Sequence, residues 1–126
     1  MVKLSERQLE LLRGPNLAIV ATIRPDGTPQ LTPTWIDTDG EHVLINTAEG
    51  RAKPRNLRRD PRVSVCVVDR DDQYNWVSIT GTAELTNEGA EEHIHHLARK
   101  YRGRDYDRPA NPPRILVRIT PERVSP

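Results

Sequence analysis

Short apolar runs alternate with turn-forming residues along most of this chain. Leu17 to Ile23 reads as a strand, Pro25-Asp26-Gly27 as a turn, Pro29 to Ile36 as a second strand and Asp39-Gly40 as another turn. Further runs rich in β-branched residues lie at His42 to Asn46, Val63 to Val68, Trp76 to Leu85 and Ile115 to Ile119. The pattern therefore predicts six short strands, and a small antiparallel barrel is the architecture that closes such a set.

Helical periodicity interrupts the strands. Ser5 followed by Gln8 forms a capping box, with Leu4 and Leu9 in staple positions, so a short helix is expected to run toward Gly14-Pro15. A second, basic helix is predicted from Pro54 to Arg59. A third runs from about Glu88 to Tyr101, with Ala90, Ile94, Leu97, Ala98 and Tyr101 on one face. His93, His95 and His96, beside Glu91 and Glu92, are assigned to the opposite, solvated face, and no metal site is expected from them. The proline-rich stretch from Gly103 to Pro113 reads as a loop over the barrel, with Tyr106 as its anchor.

Composition narrows the function classes. The 126 residues amount to one domain, only 35% of them hydrophobic and none of them Phe, so the core is modest and a partner subunit is expected to complete it. A formal net charge of +1 gives no general attraction for nucleic acid or an acidic membrane. The chain starts with a charged amphipathic segment, and no apolar run approaches the roughly 18 residues of a membrane span, so a cytoplasmic location is expected. Cys66, the single cysteine, falls in an apolar strand and reads as a small buried hydrophobe.

Two segments carry candidate chemistry. Asn46 to Pro61 leaves a strand and enters a helix, with Pro54 in the first turn and Pro61 at the end. Arg51 and Lys53 just ahead of the free N–H groups would complete a phosphate site, and Arg55, Arg58 and Arg59 continue the positive charge; a solvated basic turn is the other reading of the same segment. In Gln30-Leu31-Thr32-Pro33-Thr34-Trp35, alternation places Gln30, Thr32 and Thr34 on one face, and Pro33 marks an edge strand; by itself the segment reads as an edge with polar outward residues, and as the alternative a flat ligand can approach it there.

The ATIRPDGTPQLTPTW hairpin, the NTAEGRAKPRNLRRDPRVSV segment, the ITGTAEL strand and the HIHHLARKYRGRDY helix occur in that order. Together they resemble the pyridoxamine 5'-phosphate oxidase-like split-barrel superfamily, and most closely its branch that uses the deazaflavin coenzyme F420. The resemblance implies a mainly β fold with flanking helices, a six-stranded antiparallel split β-barrel, and a homodimer with cofactor clefts between subunits. It places Arg51, Lys53 and Asn56 at the cofactor's phosphate end, and Gln30, Thr32, Pro33 and Thr34 along its ring. Asn46 and Thr47 fall at the neighbouring strand end, while Tyr74 and Trp76 reach over the cleft from the other subunit. The implied activity is hydride transfer from reduced F420 to a small oxidised organic substrate. FMN-dependent chemistry or ligand binding without catalysis are the alternatives on this fold, and no side chain is nominated as catalytic.

Overall fold

The computed structural model describes residues 1–109 and 111–126. Helix α1 (Glu6–Arg13) precedes β1 (Leu17–Ile23), β2 (Pro29–Thr34), β3 (Asp37–Thr38) and β4 (Val43–Ala48). Then follow α2 (Ala52–Arg59), β5 (Arg62–Val68), β6 (Trp76–Thr86), α3 (Ala90–Arg102) and β7 (Arg114–Ser125). The strands form one antiparallel sheet in the order β2-β1-β5-β6-β7-β4-β3, curled into a half-barrel.

The mainly β character is as expected, but among the described residues there are seven strands rather than six. The second predicted strand divides: β2 stops at Thr34, and Asp37 and Thr38 pair separately with Leu44 and Val43. A two-residue strand has no periodicity to detect. The last strand is also longer than its apolar run, because β7 continues past Pro121 through a register shift at Thr80/Gly81. Gly81 is required there, since a Cβ on it would lie 2.0 Å from the Thr120 carbonyl oxygen.

Core packing follows from alternation. Ala18 and Val20 of β1, Val63, Val65 and Val67 of β5, and Val77 and Ile79 of β6 all point inward, against Leu9, Leu11 and Leu12 of α1 and Leu57 of α2. Full burial of each such Leu, Ile or Val contributes about 1.5–3 kcal/mol. The capping box holds α1 in place: Gln8 N donates to Ser5 Oγ at 3.2 Å, and Ser5 N to Gln8 Oε1 at 2.8 Å.

The opposite face of β2-β1-β5-β6 is not covered. Register places Leu31 and Pro33 beside Ala21 and Ile19, and these beside Ser64 and Cys66, with Ser78 and Thr80 beyond. No charged residue lies in this set, and Leu17 and Leu31 are 55% and 63% exposed. Cys66 therefore departs from expectation: it stands on this half-exposed outer face, not in the core, because Val63, Val65 and Val67 take the inward positions.

Candidate functional site

A cleft of about 700 Å³ opens where the start of β1, the end of β2, α3 and the Gly103–Pro113 loop meet. Its middle is aromatic. Trp35 stacks on Tyr101 with centroids 5.4 Å apart and planes 10° from parallel, and Tyr106 meets Trp35 edge-on at 6.4 Å. Tyr101 is fixed at its far end, where its hydroxyl donates to Asn16 O at 2.8 Å and accepts from Ile36 N at 3.1 Å. The loop is anchored through Tyr106, whose N–H donates to His95 Nδ1 at 3.1 Å.

Positive charge surrounds those rings. Arg51, Arg70, Arg102, Arg108 and Arg114 line the cleft, and no carboxylate is among its lining residues. Arg102 lies over Trp35 at 5.0 Å and Arg114 over Tyr106 at 5.2 Å. At one end Arg51 is the N-cap of α2, and no side chain caps the free N–H groups of that helix. Pairing of Ala48 with Arg114 brings β7 alongside, so Arg51, Lys53 and Arg114 feel one another's charge.

Among the described residues, none of these three cations forms an ion pair with a carboxylate. Lys53 is half-buried, and burial, reinforced by Arg51 and Arg114, pushes its ammonium down to about 8. Arg114 is only 7% exposed, and burial also lowers its pKa. Concentrated, partly desolvated cations next to an uncapped helix N-terminus are complementary to a phosphate.

Behind Arg114 lies a polar chain that periodicity did not reveal. Arg114 Nε donates to Asn46 Oδ1 at 2.8 Å, and Asn46 Nδ2 donates to Ala90 O at 2.9 Å and to His93 Nδ1 at 3.1 Å. His93 Nε2 faces Asp37 Oδ2 at 3.4 Å, out of line for a hydrogen bond. This corrects the assignment of all three histidines to a solvated face. The His93 side chain is 9% exposed, His95 is half-buried under the loop, and only His96, 62% exposed, is solvated. His93 follows Ala90 by three positions and precedes Leu97 by four, and that spacing turns it inward with the apolar stripe. Among the described residues no group of three or more side chains is arranged to hold a metal ion.

Of the residues singled out from sequence, Pro33, Thr34, Asn46 and Arg51 line the cleft, with Lys53 beside Arg51. The others stand apart. Asn56 and Gln30 belong to a knot behind α2, where Asn56 Nδ2 donates to Thr22 Oγ1 at 3.1 Å and Gln30 Oε1 at 3.0 Å. Thr47 is buried, and the Thr32 hydroxyl is buried without a partner. Tyr74 and Trp76 project from the β5–β6 turn and the start of β6, 84% and 38% exposed. Arg55, Arg58 and Arg59 do not extend the site, because their guanidiniums donate to Gly50 O, Glu49 and Ile23 O respectively. The residues that sequence reading missed are Trp35, Tyr101 and Arg102 as cleft walls, and above all Arg114. Its only signal is its place at the head of an apolar strand.

Residues 4–126 match the family described as pyridoxamine 5'-phosphate oxidase. The chain belongs to this family. Among solved structures, an F420 reductase is 30% identical with a TM-score of 0.86, the match covering 97% of this chain and 98% of the other. A conserved hypothetical protein from Mycobacterium tuberculosis, Rv2991, is 32% identical with a TM-score of 0.70, covering 98% and 84%. HupZ of Group A Streptococcus, 24% identical with a TM-score of 0.72 over 96% and 91%, shares the family's fold. No helix among the described residues is long and apolar enough to cross a membrane.

Proposed function

We propose that this protein is a coenzyme F420-dependent oxidoreductase that reduces a small oxidised organic molecule. One observation carries the reading: Arg51, Lys53 and Arg114, without carboxylate partners, stand at the end of a cleft walled by Trp35, Tyr101 and Tyr106. Arg51, Lys53 and Arg114 hold the cofactor's phosphate, while Pro33 and Thr34 on the edge strand border its ring. When bound, the deazaflavin supplies a hydride, and the substrate takes up that hydride together with a proton. The chain's own part is to bind and orient both molecules and to shield the ring from water. With Arg70, Arg102 and Arg108 also lining the cleft and no carboxylate among its lining residues, its positive charge favours the additional carboxylates of F420 over FMN, which ends at its phosphate. The similarity to an F420 reductase supports the same choice.

The functional unit is a cytoplasmic homodimer. The part of the outer face of β2-β1-β5-β6 formed by Leu31, Pro33, Ile19, Ala21, Ser64 and Cys66 is the surface a second copy would cover, with Tyr74 and Trp76 reaching the partner's cleft. Light scattering should give twice the 14.4 kDa chain mass; a monomer at micromolar concentration would contradict this. Titration of the purified protein with F420 and with FMN at two salt concentrations tests the cofactor. F420 should bind more tightly and with the steeper salt dependence, whereas tighter FMN binding would move the protein to the flavin branch.

A further inference from the structure

Binding the cofactor assigns no role to His93, although its side chain is only 9% exposed and meets Asn46 in the cleft's polar lining. Its connections are directional. Asn46 Oδ1 must be the acceptor toward Arg114 Nε, which can only donate, and Asn46 Nδ2 must be the donor toward Ala90 O, which can only accept. The amide orientation is therefore fixed from both sides. The second Nδ2 hydrogen points at His93 Nδ1, 3.1 Å away, so that nitrogen must be bare and the imidazole proton sits on Nε2, toward Asp37.

We propose that His93 is a positioning residue: through Asn46 it holds the Arg114 guanidinium toward the bound anion, and it does so only while its imidazole is neutral. This rests on reading Arg51, Lys53 and Arg114 as an anion site. A proton on Nδ1 would set donor against donor. The acceptor on the amide that faces Nδ1 is Asn46 Oδ1, already engaged by Arg114, so an imidazolium that turns this amide competes with Arg114 for the same oxygen. Turning the amide to satisfy His93 would also put an N–H2 against Arg114 and remove the bond to Ala90 O.

Charged groups face His93 from both sides: Asp37 of β3 lies against Nε2, and Arg114 of β7 lies behind Asn46 of β4. Along α3 itself, His96 and Lys100 also face Asp37, and Glu91 lies near Arg114. Asp37 stays ionised throughout: burial pushes its carboxyl up, but His93, the Thr38 N–H, Lys100 and His96 together hold it below its ordinary value.

The test uses the full-length protein and sulfate, whose charge does not change across the range from about pH 9 to about pH 5 in which imidazoles and a depressed lysine titrate. Wild-type affinity should pass through a maximum. It tightens as Lys53 gains its proton near pH 8, then weakens roughly three- to tenfold as His93 gains its own. His93→Asn keeps an acceptor where Nδ1 was but cannot titrate, so its affinity should rise to a plateau with no acid limb. His93→Leu should remain weak at every pH. A wild-type profile without an acid limb, or an identical acid limb in His93→Asn, would overturn the proposal.

The Arg114 Nε–H resonance of the sulfate-free wild-type protein gives an independent reading. It should be protected from exchange at neutral pH and lose that protection as the His93 ring nitrogens report protonation. Protection that persists through that titration would overturn the role of His93. Failure of sulfate to bind at any pH would instead remove the anion site on which the proposal stands.

Discussion

Two groups of cations lie within one short stretch of this chain, and they differ in what they face. Arg58 holds Glu49 through two hydrogen bonds of 2.6 and 2.9 Å, Arg62 holds Asp60, and Arg55 and Arg59 cap backbone carbonyls. Arg51 and Lys53, one turn earlier, have no such partner among the described residues and are joined by Arg114 from another strand. The first group is already neutralised or anchored, whereas the second has no carboxylate counter-ion among the described residues. A basic tract in a sequence thus overstates the available charge, and the useful cations are those left without a counter-ion.

Removing an unpartnered cation should weaken cofactor binding without unfolding the protein. Lys53→Met should have the largest single effect, a loss of roughly ten- to hundredfold in F420 affinity by titration, since charge-assisted bonds to phosphate contribute about 1.5–3 kcal/mol. Its apoprotein should melt no lower than wild type, because the ammonium is partly desolvated with no ion-pair partner. Arg51→Ala, at an exposed position, should lose roughly three- to tenfold in the same assay. Arg58→Ala should leave F420 affinity within about twofold. Its cost falls on stability instead, at most about 1 kcal/mol by denaturant melt, because the Glu49 pair is solvated.

The comparison has a pH signature of its own. In the apoprotein Lys53 is neutral above about 8, while in the unfolded chain it stays protonated up to its ordinary 10.5. Between those values the unfolded state binds more protons, so stability should rise as pH rises through that window. Lys100, also lowered to about 8 by burial, contributes in the same direction. Melts of Lys53→Met should therefore show a shallower rise, and saturating F420, which favours the charged ammonium, should flatten the Lys53 part. An unchanged slope in the variant would mean that Lys53 is not desolvated.

Local chemistry was legible in the sequence. The capping box of α1, the Pro54 entry into α2 and the alternation of β1, β5 and β6 each depend on neighbours a few residues away, and each appears in the fold. The placement of Arg51 and Lys53 at the entry to α2 was legible for the same reason. Arg114 was not, because only the β4–β7 register sets it beside Ala48, and no spacing in the chain encodes that register. His93 shares the spacing of Ala90 and Leu97 and so turns inward at the border of the apolar stripe, but what it meets there, Asn46 of β4, is set by tertiary packing that no local spacing encodes. The occupied state of Arg55, Arg58 and Arg59 was equally hidden, since their partners at Gly50, Glu49 and Ile23 become neighbours only once α2 docks.

The most direct test removes equal charge from the two groups. F420 dissociation constants would be measured for wild type, for Arg51→Ala/Lys53→Ala and for Arg55→Ala/Arg58→Ala, at one pH and ionic strength. Each double variant loses two positive charges, so long-range attraction is matched and only the local partners differ. The account predicts a loss of roughly a hundredfold or more in the first variant and less than about threefold in the second. Equal losses in both, or wild-type affinity in the first, would contradict it.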